Sequence, residues 1–164
     1  MSSSEQSKTW LSREAYDRLQ AELDQLIAAR PSVAAEINAR REEGDLRENG
    51  GYHAAREEQG RQEGRIQYLK EFLRNAHVGE PQTADKVAAG TVVTIYFDDD
   101  QSDTETFLLG SREIAATTDL TVYSPESALG TAILGARAGQ TVTYTAPSGS
   151  DIKVTVVNFE PYGH

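Results

Sequence analysis

Asp45 and Glu48 stand three residues apart in the stretch Gly44-Asp45-Leu46-Arg47-Glu48-Asn49-Gly50-Gly51. Two carboxylates at that spacing in a turn can point the same way and share a hard cation such as Mg²⁺. They are too few to hold it, because Mg²⁺ wants about six ligands and keeps several waters. The rest of such a site has to come from a partner. The plainer reading is an acidic helix-to-helix turn, with Asp45 near one helix end and Glu48 capping the next, where the helix dipole favours negative charge. Two further groups follow directly. His53 is a candidate proton donor, or else a solvated imidazole. Tyr52 either works beside the acids or simply closes the helical seam described next.

Such a turn needs two helices to present it, and the flanking residues supply them. Ser12 suits a helix start, with Leu11 and Tyr16 at staple positions on either side. Apolar residues then recur at Tyr16, Leu19, Leu23, Leu26, Val33 and Ile37, with Arg30 in one seat. After the interruption a second series runs Tyr52, Ala55, Gln59, Gln62, Ile66, Leu69, Leu73, Ala76. Both follow the 3-4 spacing of a coiled-coil seam. Facing residue numbers add to one constant, as in Leu19 with Leu73, Leu23 with Leu69 and Ile37 with Ala55, so an antiparallel hairpin folds back near residue 46. Arms of about 30 residues at ~1.5 Å per residue make a rod of roughly 45 Å. Toward the turn the seam weakens to Arg30 against Gln62 and Val33 against Gln59, and Pro31 predicts a kink.

Composition changes near residue 80. Val, Ile and Thr number 6 in residues 1–80 and 25 in residues 81–164, while Lys and Arg fall from 12 to 4. The second half therefore reads as strands, at 91–97, 104–109, 119–123, 140–146 and 152–159, with turns at Asp98–Asp103 and Pro147–Asp151. A short helix between Pro125 and Leu134 has Ser124 or Ser127 available as its cap. The fold class expected is α+β: an N-terminal antiparallel coiled-coil hairpin over residues 1–79 with its acidic tip near 44–51, a linker at 80–85, and a small antiparallel-sheet domain over 86–164.

Composition also excludes chemistry. The chain has 164 residues and no cysteine, so disulfides, thiolate zinc sites and cysteine nucleophiles are absent. A net charge of -10 suits it poorly to gripping bare nucleic acid, which needs a surplus of cations. Asp98-Asp99-Asp100-Gln101-Ser102-Asp103 lacks the Gly and Glu of a calcium loop, and no Gly-Lys-Ser/Thr follows Gly130, Gly135 or Gly139. Neither a leader nor an apolar run of membrane-spanning length is evident, and the expectation is a cytoplasmic protein with no membrane partner.

The block Gly44-Asp45-Leu46-Arg47-Glu48-Asn49-Gly50-Gly51-Tyr52-His53-Ala54-Ala55-Arg56-Glu57 resembles the signature of the bacterial Gre transcript cleavage factors. The resemblance continues through Ala35-Glu36-Ile37, Arg40-Arg41-Glu42-Glu43, Gln59-Gly60 and Arg65-Ile66, and again through Tyr123-Ser124-Pro125 to Leu134-Gly135. It implies a transcription elongation factor that is not itself an enzyme. Such a factor binds RNA polymerase and inserts its tip in the secondary channel. It stimulates the polymerase's own cleavage of the 3′ end of backtracked nascent RNA. Asp45 and Glu48 would then be the catalytic acids, sharing Mg²⁺ with the polymerase and holding no metal alone. Arg47, Asn49 and Tyr52 would support the tip, and Arg56 would contact RNA, with Arg61 left to an intrahelical pair with Glu57. The resemblance further implies an FKBP-like second domain docking at the β′ rim through Ser124, Pro125, Ser127 and Leu129, although burial in its own domain would equally explain Leu129. A monomer is expected. Many relatives carry Ala-Glu where this chain has Gly50-Gly51, so a third acid near the tip is missing. The alternative within the same family is a channel binder that inhibits polymerase without stimulating cleavage.

Overall fold

A computed structural model describes residues 9–44, 49–79 and 85–163. Two compact units emerge, Asp17–Asn75 and the remainder of the chain on either side of it.

The helical unit is built from α1 (Arg13–Ala28), α2 (Arg30–Arg41) and α3 (Gly50–Arg74). The Ser12 hydroxyl accepts from the Ala15 amide at 3.1 Å and starts α1. The predicted kink takes the form of a break at Ala29 between α1 and α2. Pro31 sits in the first turn of α2, where its missing N–H costs nothing, and it can give no bond back to the turn before. The amides of Ala29 and Val33 still bond to Gln25 and Ala29 at 3.0 Å, so the ladder resumes at once. Leu19, Leu23, Ile37, Ile66, Leu69 and Leu73 are buried, and they are the seam residues of the periodic pattern. Val33, Ala55, Gln59 and Gln62, nearer the turn, are only half-buried.

Two pairings differ from the sequence expectation. Arg30, set against Gln62 by the seam numbering, forks onto the adjacent Glu63, with Nε and Nη2 each 2.9 Å from a carboxylate oxygen. A guanidinium at a seam gains more from two charge-assisted bonds than from a neutral amide. Arg61 pairs with Glu58, three residues earlier, rather than with Glu57. Glu58 also accepts from Gln62 at 3.1 Å, so one carboxylate serves both neighbours.

In the other unit β3 (Thr91–Phe97), β4 (Thr104–Leu109), β5 (Thr121–Tyr123), β6 (Thr141–Thr145) and β7 (Asp151–Pro161) form one sheet in the order β5-β4-β3-β7-β6. All neighbours are antiparallel except β4 with β5. A 3-10 turn over Arg112–Thr117 crosses between those two and reverses the expected direction. Val93, Ile95, Phe107, Val154 and Val156 alternate onto one face and pack with Leu129 and Ile133 of α4 (Ala128–Ile133), the short helix expected. A separate parallel pair, β1 (Thr9–Leu11) with β2 (Ala76–Val78), was not foreseen from sequence. Trp10 and Leu11, placed by the sequence at the start of the helical domain, are buried within this unit.

Candidate functional site

α2 ends at Arg41 and α3 begins at Gly50, so the predicted return falls between them. Asp45, Arg47 and Glu48 lie outside the described residues. The geometry on both sides of them is well defined. Asn49 is the cap of α3: its Oδ1 accepts from the Tyr52 amide at 3.0 Å. Its Nδ2 donates to the Arg40 carbonyl in the last turn of α2, at 2.5 Å. One side-chain amide thus satisfies an orphan donor of α3 and adds a cross-arm bond to an α2 carbonyl that also accepts from the Glu43 amide at 3.2 Å.

Tyr52 follows in the first turn of α3. The Arg41 guanidinium stands 5.8 Å from its ring centroid, and Arg56, one turn along α3, places Nη1 3.4 Å from the hydroxyl. His53 meets the Tyr52 ring edge-on at 5.4 Å and is otherwise exposed. Hydrogen bonding from Arg41, then from Arg56, holds the Tyr52 phenol below its ordinary range, because both cations favour the phenolate. The ring lies half-buried, as a seam residue would, while its hydroxyl is committed to two arginines from different helices. The half-buried ring fits the seam reading of Tyr52.

Arg41 is the residue that sequence reasoning did not single out. The signal was present: the constant that pairs the two arms sets Tyr52 against the Arg40-Arg41 dipeptide. Of the other arginines, Arg65 forks onto Glu22 of α1, with Nε at 2.8 Å and Nη2 at 3.0 Å, and Arg61 is taken by Glu58. Arg56 is left beside Tyr52, exposed toward solvent. Gly51 faces Arg40, and a β-carbon there would lie 3.4 Å from its Cδ and Nη1; at Gly50 it would meet nothing within 4 Å among the described residues.

The four docking candidates lie at the start of α4. Ser124 and Pro125 are half-buried. The Ser127 hydroxyl caps α4, accepting from Gly130 N at 3.0 Å and donating to the Ser124 carbonyl at 2.7 Å. Leu129 is 6% exposed and belongs to the core of the sheet unit. In the Asp98–Asp103 turn Asp100 accepts from the Ser102 amide and hydroxyl, and Asp99 pairs with Lys153 of β7 at 2.9 Å. Among the described residues no group of acids and histidines could hold a metal, and no helix is long and apolar enough to cross a membrane.

Comparison with known proteins decides what these two units are. The family model "Transcription elongation factor, N-terminal" matches residues 9–78, and "Transcription elongation factor, GreA/GreB, C-term" matches residues 82–161. The chain belongs to the GreA/GreB family of transcription elongation factors. It is 62% identical to the transcription elongation factor GreA of Mycolicibacterium smegmatis over 156 residues, which cover 94% of this chain and 95% of that one. GreA of Rhodococcus erythropolis is 60% identical over the same shares. Among solved structures, the GreA factor homolog 1 protein of Thermus thermophilus is 24% identical, with a TM-score of 0.42 over 93% of this chain and 99% of that one. The Gre-family assignment agrees with the α+β architecture and with the block of residues around the turn.

Proposed function

We propose that the chain is an accessory factor of RNA polymerase that enters the secondary channel tip-first and stimulates cleavage of the 3′ end of backtracked RNA. The observation that supports this reading is the hairpin end itself. Asn49 ties α3 to α2 beside the return that carries Asp45 and Glu48, and three polar side chains, Arg41, Tyr52 and Arg56, gather next to it.

In this reading Asp45 and Glu48 are the catalytic acids. Two carboxylates are an incomplete Mg²⁺ shell, and the polymerase active centre completes it. The metal supplies charge neutralisation and an activated water for phosphodiester hydrolysis. The chain's own contribution is to deliver two negative oxygens to that centre. Arg41, Arg56 and the Tyr52 hydroxyl are donors for a phosphodiester oxygen of the displaced RNA, and Arg47 and Asn49 support the turn. The half-buried Ser124 and Pro125 form a docking edge at the channel rim, held in shape by Ser127 and Leu129. The factor acts in the cytoplasm as a monomer, with no cofactor of its own.

The test uses stalled, backtracked elongation complexes with 3′-labelled RNA. Wild-type protein is expected to release short 3′ fragments only when polymerase is present. An Asp45→Ala/Glu48→Ala double variant is expected to bind and compete for the channel without releasing them. A wild-type protein that competes yet releases nothing is an inhibitor, and the cleavage reading is then lost.

A further inference from the structure

We propose that Asn49 is a positioning residue, whose side-chain amide fixes the register between α2 and α3 and thereby assembles Arg41, Tyr52 and Arg56 into one group for a phosphodiester anion. The role given to that group rests on the function proposed above; the positioning itself does not.

Tyr52 and Arg56 lie one turn apart on α3, so their contact forms within a single helix. Arg41 comes from the other arm, and its place over the Tyr52 ring depends on how the two arms are aligned. Apolar packing sets that alignment poorly at this end. Of the seam residues near the turn only Ile37 is buried, and Val33, Glu36, Ala55, Glu58 and Gln62 line a shallow cleft between the arms instead of closing it. Farther along, the cross-arm forks Arg30–Glu63 and Glu22–Arg65 lie about three turns and more from Arg41. The Asn49–Arg40 bond is a polar tie at the end where the trio sits.

The chemistry of the side chain makes the position demanding. The cap needs an acceptor for the Tyr52 amide, and the tie needs a donor for the Arg40 carbonyl. Ser, Thr and Asp can cap, but only an amide offers an acceptor and an N–H donor at the reach seen here. Two guanidiniums and a hydroxyl then stand around one ring, a donor set whose charge and forks suit a singly charged phosphodiester.

Tyr52 itself reports the alignment, because Arg41 is the first cause of its lowered pKa. The experiment is a pH titration of ring-¹³C-labelled tyrosine by NMR, with Tyr52→Phe used to assign the signal among 7 tyrosines. Wild type, Arg41→Ala and Asn49→Ser are compared, because serine keeps the cap and loses the tie. Tyr52 of Asn49→Ser is expected to titrate higher than in wild type, close to its value in Arg41→Ala, with unchanged helical circular dichroism. In the cleavage assay the concentration of factor giving half-maximal rate is expected to rise several-fold. If Asn49→Ser loses helix, Asn49→Thr takes its place in the same comparison. A Tyr52 titration identical in Asn49→Ser and wild type overturns the proposal. A shifted titration with unaltered cleavage leaves the positioning standing and removes the RNA-facing role of the trio.

Discussion

Trp10 lies so close to Gly90 that a β-carbon at residue 90 would stand 2.7 Å from its Cε2 and 2.9 Å from its Cδ2. The same indole donates to the Gly79 carbonyl at 2.5 Å and meets Tyr162 edge-on at 6.1 Å. Tyr162 in turn donates its amide to the Gly90 carbonyl at 2.9 Å. A side chain from the first strand is thus enclosed by three later stretches of the chain.

Gly90→Ala is expected to be among the most damaging single changes outside the hydrophobic core. The residue has φ +97°, so alanine adds backbone strain as well as a clash with the indole. Strain of ~1–3 kcal/mol and overpacking of ~1–3 kcal/mol act together. Thermal unfolding followed by fluorescence reads this directly, since Trp10 is the single tryptophan. A melting temperature within a degree of wild type would show that the indole moves aside freely.

The Trp10 contact also marks a limit of sequence reading. Leu19, Leu23, Leu69 and Leu73 announce their helices because a 3-4 period persists over many turns, and Val93 and Ile95 announce a strand by alternation. Thr9-Trp10-Leu11 is too short to show a period, and its partner Ala76-His77-Val78 lies at the far end of the helical hairpin. The parallel direction of β5 was equally hidden, because it depends on the route taken by the Arg112–Thr117 turn rather than on any strand residue. At the hairpin end the seam position of Tyr52 was legible from spacing. Arg41 was not, because its role comes from the opposite arm.

Acid is expected to loosen the helical unit through its two cross-arm forks. Hydrogen bonding from Arg65 lowers the Glu22 pKa, and hydrogen bonding from Arg30 lowers that of Glu63, from an ordinary 4.5 in each case. A carboxylate whose folded value is depressed adds stability above its unfolded value and loses it as pH falls through the folded one. The contribution is therefore complete at neutral pH and declines below about pH 4.5. Both forks are partly exposed, so the effect is modest and weakened by salt. Helical melts at pH 7 and pH 4 on wild type and Glu22→Gln/Glu63→Gln test this. The double variant should melt lower at pH 7 and show the smaller drop on acidification; an equal drop would mean the forks do not carry it.

Gly51→Glu is expected to stabilise the hairpin. The three atoms nearest the added β-carbon are Arg40 Cδ and Nη1 and Asn49 Oδ1, at 3.4 Å or more, which is ordinary contact. Removing glycine from a helix gains ~0.5–1 kcal/mol, and an acid in the first turn of α3 is favoured by the helix dipole. The new carboxylate would also stand beside the Arg40 guanidinium, which among the described residues has Glu36 and Glu43 at 3.7 and 3.8 Å. A higher midpoint in urea with an unchanged slope would confirm the gain. A lower midpoint would show that Arg40 needs the space that glycine leaves.

Ser127 separates a cap from a docking contact. Its hydroxyl both accepts from Gly130 N and donates to the Ser124 carbonyl, so Ser127→Ala should cost ~1 kcal/mol of stability. Gly130→Ala should cost far more, because its β-carbon would fall 2.1 Å from the Ser124 carbonyl oxygen, a backbone atom that cannot swing away. Threonine at 127 keeps both hydrogen-bonding capacities of the hydroxyl and adds a methyl group on a half-buried residue. If Ser127 acts by shaping the Ser124-Pro125 edge, Ser127→Thr should retain stability and polymerase competition together, and Ser127→Ala should lose some of both. If Ser127 touches polymerase itself, Ser127→Thr should weaken competition while its melting curve stays with wild type. Melting curves and competition for the channel, measured on the same preparations, distinguish the two.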